Sequence, residues 1–418
     1  MAYYPSRNEW QTREPREVGL DPTALGAAVH HHLANESRWR RDFLTASGRY
    51  IGVADEPEAP GDVLGPVRPR EGPNGLILRG GHVVAEWGDT RRADMTFSVA
   101  KSYLAVLAGV AVGRGLIRSI DDPVRGYALD DAFESPQNRA ITWRNLLQQT
   151  SEWQGTLWGK PDTIDHNRDV GKSELGAAQK GQPRPMRPPG TLWEYNDARV
   201  NRLSLSLLQV FRRPLADVLR DAVMDPVGAS NDWEWQPYRN AWVEIDSTSM
   251  PSVPGGSHWG GGLWMSTRDH ARFALLVHRG GAWADQRIVA ESWIRELRRP
   301  CELNPQYGLL WWLNTGRAQL PSAPESSYAA RGAGSNIIWI DPDHDLIAVV
   351  RWIDKMAFDG FVGRLLTAVR SEGAALRAAA AGEASYRMRL SEAAPSDASP
   401  RKLQGCAGEA GARTQVDP

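Results

Sequence analysis

Apolar positions along the chain follow two rhythms. Helical spacing governs "TFSVAKSYLAVLAGVAV" (96–112), "ARVNRLSLSLLQVF" (198–211) and "LADVLRDAVMDPVG" (215–228), and a further helix is expected from Asp21 to Ala34. Strand-like alternation marks "GLILRGGHVVAEWGD" (75–89), where Arg79-Gly80-Gly81-His82 is a hairpin signal. Three later runs, "YGLLWWLN" (307–314), "SNIIWIDP" (335–342) and "DLIAVVRWI" (345–353), are also strand-like and belong with that hairpin.

These patterns divide the chain. Residues 1–73, rich in charge and proline, form an N-terminal extension wrapped on the main body. Residues 74–116 and 246–371 make an α/β body with an antiparallel sheet. Residues 117–245, broken by "GQPRPMRPPGT" (181–191), form a mainly helical inserted domain. Beyond Glu372 aromatic residues nearly vanish, so 372–418 is expected to be a flexible tail, briefly helical and then disordered. The fold class is α+β: an antiparallel sheet flanked by helices, with a helical insertion.

At 418 residues the chain can bury a sizeable core, as two domains or one composite fold. Lys and Arg (49) balance Asp and Glu (50) to a net charge of −1, which argues against a general affinity for nucleic acid or an anionic membrane. The two cysteines, Cys301 and Cys406, cannot build a disulfide framework. The first residues lack a secretory pattern, and the apolar run from Val99 to Val112 is too short to span a bilayer, so a cytoplasmic protein is expected. His30, His31 and His32 are consecutive on a helix and point three ways, which suits a solvated face and not a metal site.

The chemistry concentrates at Ser98 and Lys101. Three residues apart on a helix, they share a face, so Oγ and Nζ can meet at the helix N-terminus. The apolar residues around Lys101 favour its neutral form, which could take the serine proton. Against this stands a serine N-cap with a lysine reaching out to water. Two further segments add weight. "PGTLWEYNDARVNRL" (189–203) presents Tyr195, Asn196 and Asp197 at a helix start, and Tyr195 could relay a proton with Lys101. "YAARGAGSNIIWIDP" (328–342) places small residues before a strand, where the amides of Ala333 and Ser98 could form an oxyanion hole.

Taken in order, these motifs resemble the serine β-lactamase and penicillin-binding-protein superfamily, in its class-C-like branch of esterases, D-amino-acid peptidases and nylon-oligomer hydrolases. Ser98-Val99-Ala100-Lys101 matches S-x-x-K, and Tyr195-Asn196-Asp197 matches Y-x-N with Asp for the final Asn. Arg331-Gly332-Ala333 sits where the K-T-G strand is expected, and "ITWRNLLQQTSEW" (141–153) looks like the family's LLxHTSG segment. The likeness runs from about Gly75 to Ala368.

The resemblance implies acyl transfer: Ser98 as nucleophile, Lys101 and Tyr195 as base and relay, the Ser98 and Ala333 amides as oxyanion hole, and no metal or organic cofactor. Substrate contacts are expected from Asp197, Arg331, Gly332, Trp153, Trp193 and His258. Ala330 stands where the family has a lysine, with Arg331 beside it. Asp197 would disfavour an anionic substrate group nearby. Both departures favour a small-molecule ester or amide over a β-lactam. An acyltransferase, a D-peptidase, a weak β-lactamase or a non-catalytic binder are the alternatives, and the oligomeric state stays open.

Overall fold

Gly80 (φ 61°) and Gly81 (φ 87°) turn β1 (Asn74–Arg79) into β2 (His82–Trp87), the backbone a tight hairpin needs to match strand twist. The computed structural model describes residues 2–54, 56, 62–168, 170 and 180–369. The tail predicted over 372–418, with Cys406, lies outside the described residues; Cys301 is a buried free thiol.

Four later strands join the hairpin: β3 (Trp312–Leu313), β4 (Tyr328–Gly332), β5 (Asn336–Asp341) and β6 (Leu346–Arg351). The sheet runs β3-β4-β5-β6-β1-β2, antiparallel throughout. Residues from both ends of the chain meet where β1 pairs β6, from Asn74 opposite Arg351 to Arg79 opposite Leu346.

Side chains alternate across this sheet, and each face carries its own helices. Leu76, Leu78, Ile338, Ile340, Ile347 and Val349 pack with α2 (Val99–Gly113) and α4 (Thr267–His278). Ile77, Ala85, Ile337, Trp339, Ala348 and Val350 pack with α1 (Pro22–Ala34) and α6 (Phe358–Thr367). Each such aliphatic side chain contributes roughly 1.5–3 kcal/mol by full burial. A charge at any of these positions would break a layer.

Helix α1 thus forms part of the outer layer, and its histidines point three ways, but they do not make the expected solvated face: His30 is exposed, His31 is half-buried and His32 is fully buried. His30 meets Gly26 O, His31 meets Ala357 O, and His32 meets Arg351 O.

In sequence between β2 and β3 lies α3 (Asp197–Phe211), which packs against α2. The predicted helix at 215–228 is a single α turn, Leu215–Leu219, continued by a π-helical turn, Arg220–Met224. A small sheet of Asp94–Met95, Gly262–Met265 and Glu234–Gln236 backs the site. No helix among the described residues is long and apolar enough to cross a membrane.

Every residue of α2 from Val99 to Ala111 is buried. A helix apolar all round belongs in a core, and this one carries Lys101 in with it. Its middle is clamped from outside by α5 (Glu291–Leu297), whose Trp293 indole donates to Ala105 O at 3.0 Å and crosses over Gly109.

Candidate active site

Phe97, at φ 51°, brings the chain into α2 in a left-handed conformation that non-glycine residues seldom adopt. Ser98 follows at the N-cap position, but its hydroxyl makes no capping bond. Instead Lys101 Nζ donates to Ser98 Oγ at 2.8 Å, and Lys101 is only 1% exposed. The capped serine and solvated lysine are therefore both absent. Burial depresses the Lys101 pKa, and Asp197 opposes that shift.

Helix α3 supplies the second wall. Asn196 caps it, accepting from Arg199 N at 3.1 Å, which frees the Asp197 side chain to turn inward. One Asp197 oxygen pairs with Lys101 Nζ and the other with Arg168. Burial alone would raise the Asp197 pKa, but Lys101 and Arg168 hold it well below the usual carboxylate range. Its charge is spent within the wall, so the expected repulsion of anionic substrates loses its source.

Tyr195 stacks on Trp312 with centroids 5.8 Å apart, and Trp193 and Tyr307 complete an aromatic cluster. Lys101 Nζ lies 4.8 Å above the Tyr195 ring, while the phenol interacts with Ser98. Burial, reinforced by Asp197, raises the Tyr195 pKa, so the group is a neutral phenol at ordinary pH.

The third wall is the end of β4. A Cβ on Gly332 would stand 2.2 Å from Thr96 O and 3.3 Å from Ser98 N, so only glycine lets this strand abut the turn at Ser98. Among the described residues the amides of Ser98 and Ala333 donate to no protein acceptor, and Ala333 is exposed. Ala330 is buried in the core layer shared with α2, on the Gly332 side of the strand. Arg331 falls between them and so faces the opposite side, where it donates to Gln319 Oε1 at 2.8 Å. Burial lowers its pKa to about 10. Strand alternation therefore turns Arg331 away from Ser98.

Trp153 is likewise not brought to Ser98: it is buried, and its indole donates to Ala132 O. His258 packs on Trp259 and lies 3.3 Å from both Glu56 and Lys180. Burial lowers its pKa, opposed by the hydrogen bond with Glu56.

Sequence reasoning missed several neighbours. A Cβ on Gly256 would lie 3.2 Å from Lys101 Nζ and 3.6 Å from Ser98 Oγ. Asp165 accepts from Asp197 N at 2.8 Å and lies 3.4 Å from Arg168 and 3.5 Å from Lys180. The one available signal was the charged run "DTIDHNR" (162–168), which belongs to no motif.

The family model described as Beta-lactamase matches residues 76–356. No curated protein sequence matches the chain. Among solved structures, the chain is similar to EstCE1, a hydrolase with promiscuous acyltransferase activity. That match has 16% identity and a TM-score of 0.53, covering 84% of this chain and 99% of EstCE1. A protein of Bacteroides dorei DSM 17855 provisionally named a beta-lactamase matches at 16% identity and TM-score 0.52, covering 74% and 94%. A Bacillus anthracis protein provisionally named a 6-aminohexanoate-dimer hydrolase matches at 14% identity and TM-score 0.50, covering 90% and 99%. At these identities the structures speak to the fold.

Proposed function

The chain belongs to the beta-lactamase family, and on that footing we propose that it is a serine hydrolase that cleaves small carboxylic esters or amides through an acyl-enzyme on Ser98. The observation that carries this reading is the buried Lys101 amine, 2.8 Å from Ser98 Oγ at the start of a core helix. A purely structural lysine would have only the Asp197 pair to offset its burial, and a buried ion pair gives little net stability. A base for a serine hydroxyl requires that position.

Ser98 Oγ attacks the substrate carbonyl carbon while its proton passes to neutral Lys101, directly or through the Tyr195 phenol. The carbonyl oxygen takes the negative charge and is met by the free amides of Ser98 and Ala333. The tetrahedral adduct collapses, the bond to the alcohol or amine breaks, and that group leaves with the proton held by Lys101. Water then attacks the ester and gives its proton to the same base; the bond to Ser98 Oγ breaks, the proton returns from Lys101 to that oxygen, and the acid is released. Tyr195 serves as a relay and not as a resting phenolate, since its pKa lies above the ordinary value.

A fluorophosphonate probe followed by peptide mass spectrometry tests the assignment. Ser98 should gain the phosphonyl mass, Ser98→Ala should gain none, and Lys101→Ala should react at least about a hundredfold more slowly. A folded protein left unlabelled at Ser98 would refute it.

A further inference from the structure

Among the described residues, the charges around Lys101 can be counted. Two carboxylates, Asp165 and Asp197, lie in the wall beside it, and both are buried. Two cations other than Lys101 meet them: Arg168 contacts both, and Lys180 contacts Asp165. Glu56 lies outside this balance because Lys160 pairs with it at 2.9 Å. Ser98 and Tyr195, the other groups against Lys101, are uncharged, and burial favours neutral His258, Tyr238 and Tyr307. The cluster is therefore balanced when Lys101 is a free amine, and carries one surplus buried charge when it is an ammonium.

We propose that Arg168 is a positioning residue that keeps Lys101 a free base, by serving as the permanent counter-cation of Asp197 so that this carboxylate does not retain a proton on the lysine. The inference rests on the acyl-enzyme reading for its purpose, but the charge state it describes can be measured without turnover.

Asp197 is placed to spoil the base. An opposite charge in direct contact raises a lysine pKa by about one to three units, and Asp197 touches Nζ. Arg168 takes the other Asp197 oxygen and also lies 3.4 Å from Asp165. Its guanidinium sits 5.3 Å over the Tyr195 ring, which orients it. Arginine suits this role where lysine does not, because a guanidinium cannot shed its proton in a buried cluster, while a second lysine could share the deficit with Lys101. Asp165 fixes the geometry from behind by accepting from the Asp197 amide. Nothing in the sequence motif requires this arginine; it becomes necessary once the motif's final Asn is an Asp.

Lys101 can be titrated in the Ser98→Ala protein, in which no acyl-enzyme can form, by its rate of acetylation with acetic anhydride against pH, read from the peptide mass. With Arg168→Gln the midpoint should rise by one pH unit or more, whereas Arg168→Lys should stay nearer the parent. Arg168→Met, which preserves packing on Tyr195, replaces the Gln variant should that fail to fold, and should shift the midpoint the same way. An unchanged or lower midpoint in the charge-removed variant would overturn the proposal, whatever the catalytic result.

In the enzyme with Ser98 present, the acid limb of kcat/KM should move up by the same amount, because the neutral lysine is the active form, and the high-pH plateau should remain within about threefold. A uniform loss across pH would show a merely structural role and also defeats the proposal. Absence of hydrolysis by the parent at every pH would instead remove the acyl-enzyme reading while leaving the Lys101 midpoint to decide on Arg168.

Discussion

Two glycines set the tolerances of the wall around Ser98 and Lys101, and they fail in different ways. At Gly256 an added methyl would press on Lys101 Nζ, the far end of a flexible side chain, at 3.2 Å. At Gly332 it would meet the Thr96 carbonyl at 2.2 Å, and backbone cannot step aside. Gly256→Ala should therefore fold normally but displace the amine from Ser98 Oγ, lowering kcat/KM at least about tenfold with Tm nearly unchanged. Gly332→Ala should cost about 1–3 kcal/mol of stability by overpacking and abolish activity as well, since β4 must back away from the Ser98 amide. Thermal melts beside ester kinetics distinguish the two. An active Gly332→Ala enzyme of parental stability would mean that the strand does not need this close approach.

At the scale of elements, periodicity revealed the hairpin around Gly80-Gly81, the buried helix with Lys101 and the helix opening at Asp197, because each is written in neighbouring residues. The motif order placed Arg331 beside the nucleophile, but order says nothing about which face of a strand a residue takes; Gly332 against Ser98 fixes that face and turns Arg331 away. The loop of Asp165 and Arg168 was illegible for another reason: it reaches Asp197 through long-range packing that leaves no local period.

What holds that region is a second buried charge cluster. Arg199 pairs with Glu152, Glu194 and Asp162, and Arg184 pairs with Glu152 and Glu194. Burial alone would raise the Glu152 pKa, but Arg184 and Arg199 bring it down from 4.5 to about 2. With the folded value below the unfolded one, its stabilisation is complete above pH 4.5 and fades as the pH falls toward 2. Glu152→Gln leaves Arg184 and Arg199 to share Glu194, with Asp162 still beside Arg199, and should cost about 1.5–3 kcal/mol at pH 7. Urea unfolding at several pH values should show that gap narrowing below pH 4.5; a gap constant down to pH 2 would contradict the pairing.

At the scale of the whole molecule, the layers decide which substrates the site can accept. Ala330 is locked in the core facing α2, where the related motif would extend a lysine, and the sheet itself separates Arg331 from Ser98. Asp197 and Arg168 cancel within the wall. Among the described residues, the wall that Tyr195 brings to Ser98 is aromatic, with Trp193, Tyr307 and Trp312 packed around it. Such a surface rewards apolar contact and has little to offer a carboxylate. A β-lactam brings a carboxylate that must lose water on entry, whereas a neutral aryl ester does not. The protein should therefore hydrolyse p-nitrophenyl esters with a kcat/KM at least about a hundredfold above that for nitrocefin, and Trp193→Ala should raise KM for the longer-chain esters more than it lowers kcat. Comparable rates on nitrocefin would require a cation near Ser98 free of a carboxylate partner, which the described residues do not supply, since Arg168 and Lys180 are both paired, and would undo the argument from Ala330 and Arg331.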